Sequence, residues 1–144
     1  MNVPHGALIL YTGAGFCFLW LDLSLGHIGG GLKHAAMWLP LIFLPVATVV
    51  SVLAALRSTK FRLRLFHECC YGAVVLGAVG FGFHLTRFLG DLNGVVQWGA
   101  LIRFMRYPPL FAPLAVSGLG MFGLLAQPAD PHGSETHGGV DTSK

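Results

Sequence analysis

HECCYGAVVLGAVGFGFHLTRF, residues 67–88, is apolar enough to cross a membrane while keeping ionisable side chains at both ends. At about 1.5 Å per residue, its part from 69 to 88 covers roughly the 30 Å of a bilayer's hydrocarbon core. Within that part only His84 and Arg87 offer a cationic or imidazole group. On a helix Ala73, Gly77, Gly80 and His84 share one stripe, at steps of four, three and four. Small residues therefore lead up to a histidine. Such a stripe either receives a neighbouring helix closely or leaves a notch for a flat ligand beside the imidazole.

Composition extends this reading to the whole chain. Hydrophobic residues make up 54% of the 144 and charged ones only 10%, which is far from a soluble domain of this size. The expected fold is an all-α membrane protein, a bundle of four transmembrane helices with spans at about 7–25, 35–56, 69–88 and 110–126. These form one transmembrane domain over 1–126. The tail 127–144, rich in Gly, Pro, Ser, Thr and Asp, is expected to be disordered and cytoplasmic. The N-terminus has no Lys or Arg before its first apolar run, unlike a cleaved signal, so it is expected to be retained.

Between the spans, Pro40 and Pro45 predict a second helix that is kinked or irregular at its start, with freed carbonyls satisfied by neighbours. Trp20 fits an interfacial belt. Residues 57–66 read as a basic connection, because Arg57, Lys60, Arg62 and Arg64 gather there without an acid. Under the positive-inside rule this places both termini in the cytoplasm, in a bacterial cytoplasmic membrane. Leu92, Val95, Val96, Ile102 and Met105 suggest a short outer interfacial helix, an ordinary polar loop being the alternative. Cys17, Cys69 and Cys70 have no C-x-x-C spacing and read as small core residues. The basic excess lacks the aromatic interleaving of a nucleic-acid reader, and no nucleic-acid partner is expected.

Chemistry is sought where ionisable groups share one depth, since an unpaired charge in hydrocarbon costs at least about 2.5 kcal/mol. Asp22, His27, Lys33, His34, His84, Arg87 and Asp91 all fall towards the outer face in this topology, with Asp22 and Arg87 or Lys33 as the natural ion pair. The candidate cofactor residues are His34, His84 and Arg87. In one reading the two histidines ligate a b-type haem, Gly77 and Gly80 make room for the macrocycle, and Arg87 meets a propionate. In a second, His27, His34, His84 and Asp22 bind zinc or copper, although their spacing matches no standard motif. In a third, a histidine hydrogen-bonds a quinone head group. The plainer alternative, histidines that only satisfy hydrogen bonds, is favoured over each. At the other end, His5, His67 and Glu68 suggest no more than a helix-end pair of Arg64 with Glu68.

No H-E-x-x-H, G-x-S-x-G, P-loop or paired intramembrane carboxylates are present, so the chain is not expected to be catalytic on its own. By elimination it reads as an accessory or anchor subunit of a larger membrane electron-transfer complex, respiratory or photosynthetic. Its partners would be the lipid bilayer and other membrane subunits meeting the Ala73, Gly77 and Gly80 face. The alternatives are a stand-alone structural homo-oligomer and a small transporter or metal-handling protein.

Overall fold

The computed structural model describes residues 5–30, 37–91 and 111–126, apart from the side chains of 27–30, 87, 88 and 91. They form α1 (His5–Gly30), α2 (Trp38–Leu56), α3 (Lys60–Asp91) and α4 (Phe111–Leu124), and no strand occurs among the described residues. Three stretches, His5–Gly26, Trp38–Leu56 and Lys60–Thr86, are long and apolar enough to cross a membrane. Helix α4 is apolar but has only 14 residues, about 21 Å, less than a hydrocarbon core. The expected interfacial helix and the tail 127–144 lie outside the described residues.

The turn between α2 and α3 is much shorter than the basic run suggested, because α3 already begins at Lys60. Thr59 starts it. Its hydroxyl accepts the Arg62 N–H at 3.4 Å and its carbonyl accepts the Leu63 N–H at 3.0 Å. The Leu53 carbonyl at the end of α2 accepts the Arg57 N–H at 3.2 Å and the Arg62 guanidinium at 3.0 Å. A cation thus stands on the carbonyl end of α2, where the helix dipole favours it. Much of the basic run is therefore capping chemistry and helix, with 57–59 alone as connection.

Helix α2 carries two prolines with different consequences. Pro40 lies in its first turn, where a backbone N–H has no helical partner in any case. Pro45 lies inside and removes the donor that the Leu41 carbonyl would have had. The Trp20 indole N–H of α1 donates to that carbonyl at 3.1 Å. Trp20 is half-buried in this seam, and its indole closes a gap in the neighbouring helix.

Residues lacking bulk set the remaining distances. Along α1 and α2, Gly6 lies beside the Ala55 carbonyl and Gly13 beside Ser51, so the two helices run antiparallel. A Cβ on Gly13 would come within 2.8 Å of the Ser51 Cβ, and one on Gly15 within 2.7 Å of the Leu119 side chain of α4. Along α3 and α4, Gly120 lies against the Cys70 carbonyl and Ala73, Gly123 against the Cys70 thiol, and Gly80 against the Pro113 ring. These two helices are also antiparallel. The buried residues of α2 (Leu44, Ala47, Ser51, Ala54) and of α4 (Ala112, Val116, Gly120, Gly123) recur at helical steps of three and four. Two core clusters result, one around Ile9, Ala54, Phe66, Cys70 and Ala126, the other around Phe16, Leu44, Ala47, Ala73 and Val116.

Gly77 is the tightest point, since a Cβ there would run into the Pro113 carbonyl and Ser117 of α4. Val79, two residues on, is 52% exposed. Gly77→Leu is expected to cost about 1 to 3 kcal/mol or more through overpacking, and Val79→Leu less than about 0.5 kcal/mol. Unfolding of the purified variants in detergent checks this. Equal tolerance would place the Gly77 stripe against lipid.

Candidate functional site

The stripe that leads to His84 is a helix–helix seam. Ser117 of α4 donates its hydroxyl to the Val74 carbonyl of α3 at 2.9 Å, across the space that Gly77 leaves free. Pro113 stacks on Gly80, whose Cβ would sit 3.3 Å from the proline Cβ. Gly77 and Gly80 are thus filled by α4 from within the same chain. They do not make room for a macrocycle, nor do they leave the Ala73, Gly77 and Gly80 face open to another subunit.

Beyond the seam, His84 is half-buried on α3, two residues before Thr86 and three before Arg87. The Thr86 hydroxyl turns back to the Phe83 carbonyl at 3.0 Å. His34, Lys33 and the side chains of His27, Arg87 and Asp91 lie outside the described residues. The pairing of His34 with His84, the contact of Arg87 with a propionate and the ion pair of Asp22 therefore fall there too. Asp22 itself is exposed on α1, in a row with Phe18, Leu21 and Leu25. Among the described residues no three His, Cys, Asp or Glu side chains converge as metal ligands.

The opposite end of the helices holds more definite polar contacts. The His67 Nε2 lies 3.3 Å from the Ala126 carbonyl oxygen, an acceptor, so that nitrogen carries the proton. This bond ties the last turn of α4, where the Leu125 and Ala126 N–H groups close back on Phe122 and Gly123, to α3. The His67 ring also tilts against Phe66, with centroids 5.6 Å apart. Three residues before and one after His67, Arg64 and Glu68 approach to 4.0 Å, the helix-end pair expected from their spacing. Both are exposed, so the pair adds little stability. His5, in the first turn of α1, has both ring nitrogens buried with no partner among the described residues.

The cysteines lie on α1 and α3. All three are free thiols; Cys70 is buried with its sulfur against Gly123, and Cys17 and Cys69 are partly buried. This matches their reading as small core residues. Sequence reasoning missed the burial of His5 and the role of Trp20. The proline four residues after Leu41 was the available signal for the second; an apolar run starting directly after His5 was a faint one for the first. Comparison with protein-family models, curated proteins and solved structures finds no match to this chain.

Proposed function

We propose that this chain is an integral membrane protein serving as an accessory or anchor subunit of a larger electron-transfer complex. One observation carries the membrane part. Large apolar side chains such as Tyr11, Phe18 and Leu25 point outwards at 68%, 70% and 76% exposure, while Gly and Ser stand at the tightest contacts between helices. In water so much exposed apolar surface would be penalised. In lipid, where helices associate by close packing and interhelical hydrogen bonds, this arrangement is the expected one.

The subunit role is supported by how the polar groups are spent. Hydroxyls of Thr12, Ser24, Thr48, Ser51 and Ser58 each donate to the carbonyl four residues back in their own helix or just after it, so their protons serve the helices themselves. Outward apolar faces on every helix suit contact with lipid and with other membrane subunits. With the Arg57 to Arg64 charges at one end, both termini lie in the cytoplasm. In a chain cleared of native cysteines, an impermeant thiol reagent added outside should modify Gly94→Cys and spare Thr59→Cys. The reverse pattern would refute this orientation.

The electron-transfer part rests on His84, with His34 as the second axial nitrogen and Arg87 as the propionate partner of a b-type haem. A quinone bound through one imidazole belongs to the same class of role. For the haem, the reduced protein should show a b-type absorbance that is lost in both His84→Ala and His34→Ala, since six-coordinate iron needs both nitrogens. A spectrum that survived both substitutions would remove the ligand assignment. A colourless wild type, in isolation and in its complex, would remove the haem and leave the structural subunit role.

A further inference from the structure

Helices α2 and α3 pack less closely than the pairs α1–α2 and α3–α4. Between them runs an open groove of about 540 Å³, lined by Phe43 of α2 and by Glu68, Tyr71, Gly72, Val75 and Val79 of α3. The Phe43 ring packs on Gly72, where a Cβ would stand 3.0 Å from it, and this contact between the two helices closes the floor of the groove. This is a different face of α3 from the one α4 covers. Its residues recur at steps of three and four from Glu68 to Val79, and one step before Glu68 stands Arg64.

Two dimensions limit what fits. From Glu68 to Val79 is about 16 Å along the helix, close to half of a hydrocarbon core of about 30 Å, hence one leaflet. Beyond Glu68 and the Tyr71 phenol the groove wall is apolar. At its mouth a guanidinium and a carboxylate stand side by side, Arg64 Nε 4.0 Å from Glu68 Oε1, with side chains 83% and 65% exposed. So long a contact between such exposed groups leaves both free to bond a third party. The pair presents one positive and one negative group at the same level, at the end of a slot as long as one acyl chain.

We propose that this groove is a binding site for one phospholipid with a primary-amine headgroup, of the phosphatidylethanolamine class. An acyl chain lies along Phe43, Gly72, Val75 and Val79, the phosphate meets Arg64, and the ammonium donates to Glu68. Both head contacts are charge-assisted hydrogen bonds, the strong kind. A quaternary ammonium has no N–H to give Glu68, and an anionic headgroup would meet its negative charge. The site rests on the membrane reading above, and deepens it by naming a lipid.

The test reconstitutes the full chain in nanodiscs of equal parts phosphatidylcholine, phosphatidylglycerol and phosphatidylethanolamine, extracts it gently and identifies retained lipid by native mass spectrometry. The expected result is retention of phosphatidylethanolamine about tenfold over each of the other two lipids, which corresponds to about 1.4 kcal/mol. Glu68→Gln should abolish that preference, and Arg64→Gln should lower retention of all three lipids. Val75→Trp, at a position 62% exposed, should fill the slot and abolish retention while helix content by circular dichroism stays that of the wild type. Should Val75→Trp fail to fold, the exposed Glu68→Gln decides alone. Retention of the three lipids in proportion, or an undiminished preference in Glu68→Gln, would overturn the proposal. Release of the chain from membranes by alkaline carbonate would instead overturn the membrane reading, before any lipid is counted.

Discussion

Pro45 leaves the Leu41 carbonyl without its helical donor, and the indole of Trp20 supplies one from the neighbouring helix at 3.1 Å. Where no water reaches, an unpaired carbonyl costs several kcal/mol, so this bond is close to obligatory. It also fixes how α1 and α2 sit. With Trp20 held at Leu41, Gly13 falls beside Ser51, in tight contact, and Gly6 beside Ala55. The same economy governs the other polar atoms. The Thr12 and Ser51 side chains, fully buried, return their hydroxyls to the Leu8 and Ala47 carbonyls, and Ser117 donates to Val74 across the α3–α4 seam.

From that constraint follows the division of labour between faces. Small residues stand at the tightest contacts because backbone approach is what dispersion and interhelical hydrogen bonds require; Phe16, Leu44 and Phe66 fill the space between those contacts, and many other bulky apolar side chains are left on the outside. The Gly77 stripe of α3 is consumed by α4. The Glu68 to Val79 face, set against the looser α2 contact, is left as a groove. Among the described residues the space beside Gly77 is thus closed by α4, while the groove opens on the outer surface.

The all-helical architecture was legible in the apolar runs, and so were the freed carbonyl of α2, the buried thiol of Cys70 and the pair of Arg64 with Glu68, because each depends on local spacing alone. The start of α3 was not. Four cations in residues 57–66 looked like a loop, yet the Thr59 cap and the long apolar stems of these residues allow a helix whose heads still reach polar surroundings. The donor for Leu41 was legible in principle but its identity was not, since Trp20 lies on another helix and interhelical register is not written in either sequence. The same holds for the stripe before His84: its small residues announced a close approach, and only tertiary packing decided that the visitor was Pro113 and Ser117 of α4. Of the candidate site, His84 alone has a described side chain, so its partners at the outer end were carried by depth arguments from sequence.

If Trp20 acts by satisfying the carbonyl that Pro45 frees, its value should depend on Pro45. The most direct measurement is a double-mutant cycle on unfolding free energy in a bilayer mimic, using Trp20→Phe, Pro45→Ala and both together. Loss of ring area is common to both backgrounds and cancels. With alanine at 45 the Leu41 carbonyl regains a helical N–H, so Trp20→Phe should cost less there than in the wild type, by a coupling of about 0.5 to 2 kcal/mol. An equal cost in the two backgrounds would contradict the central claim, leaving Trp20 as mere filling between α1 and α2.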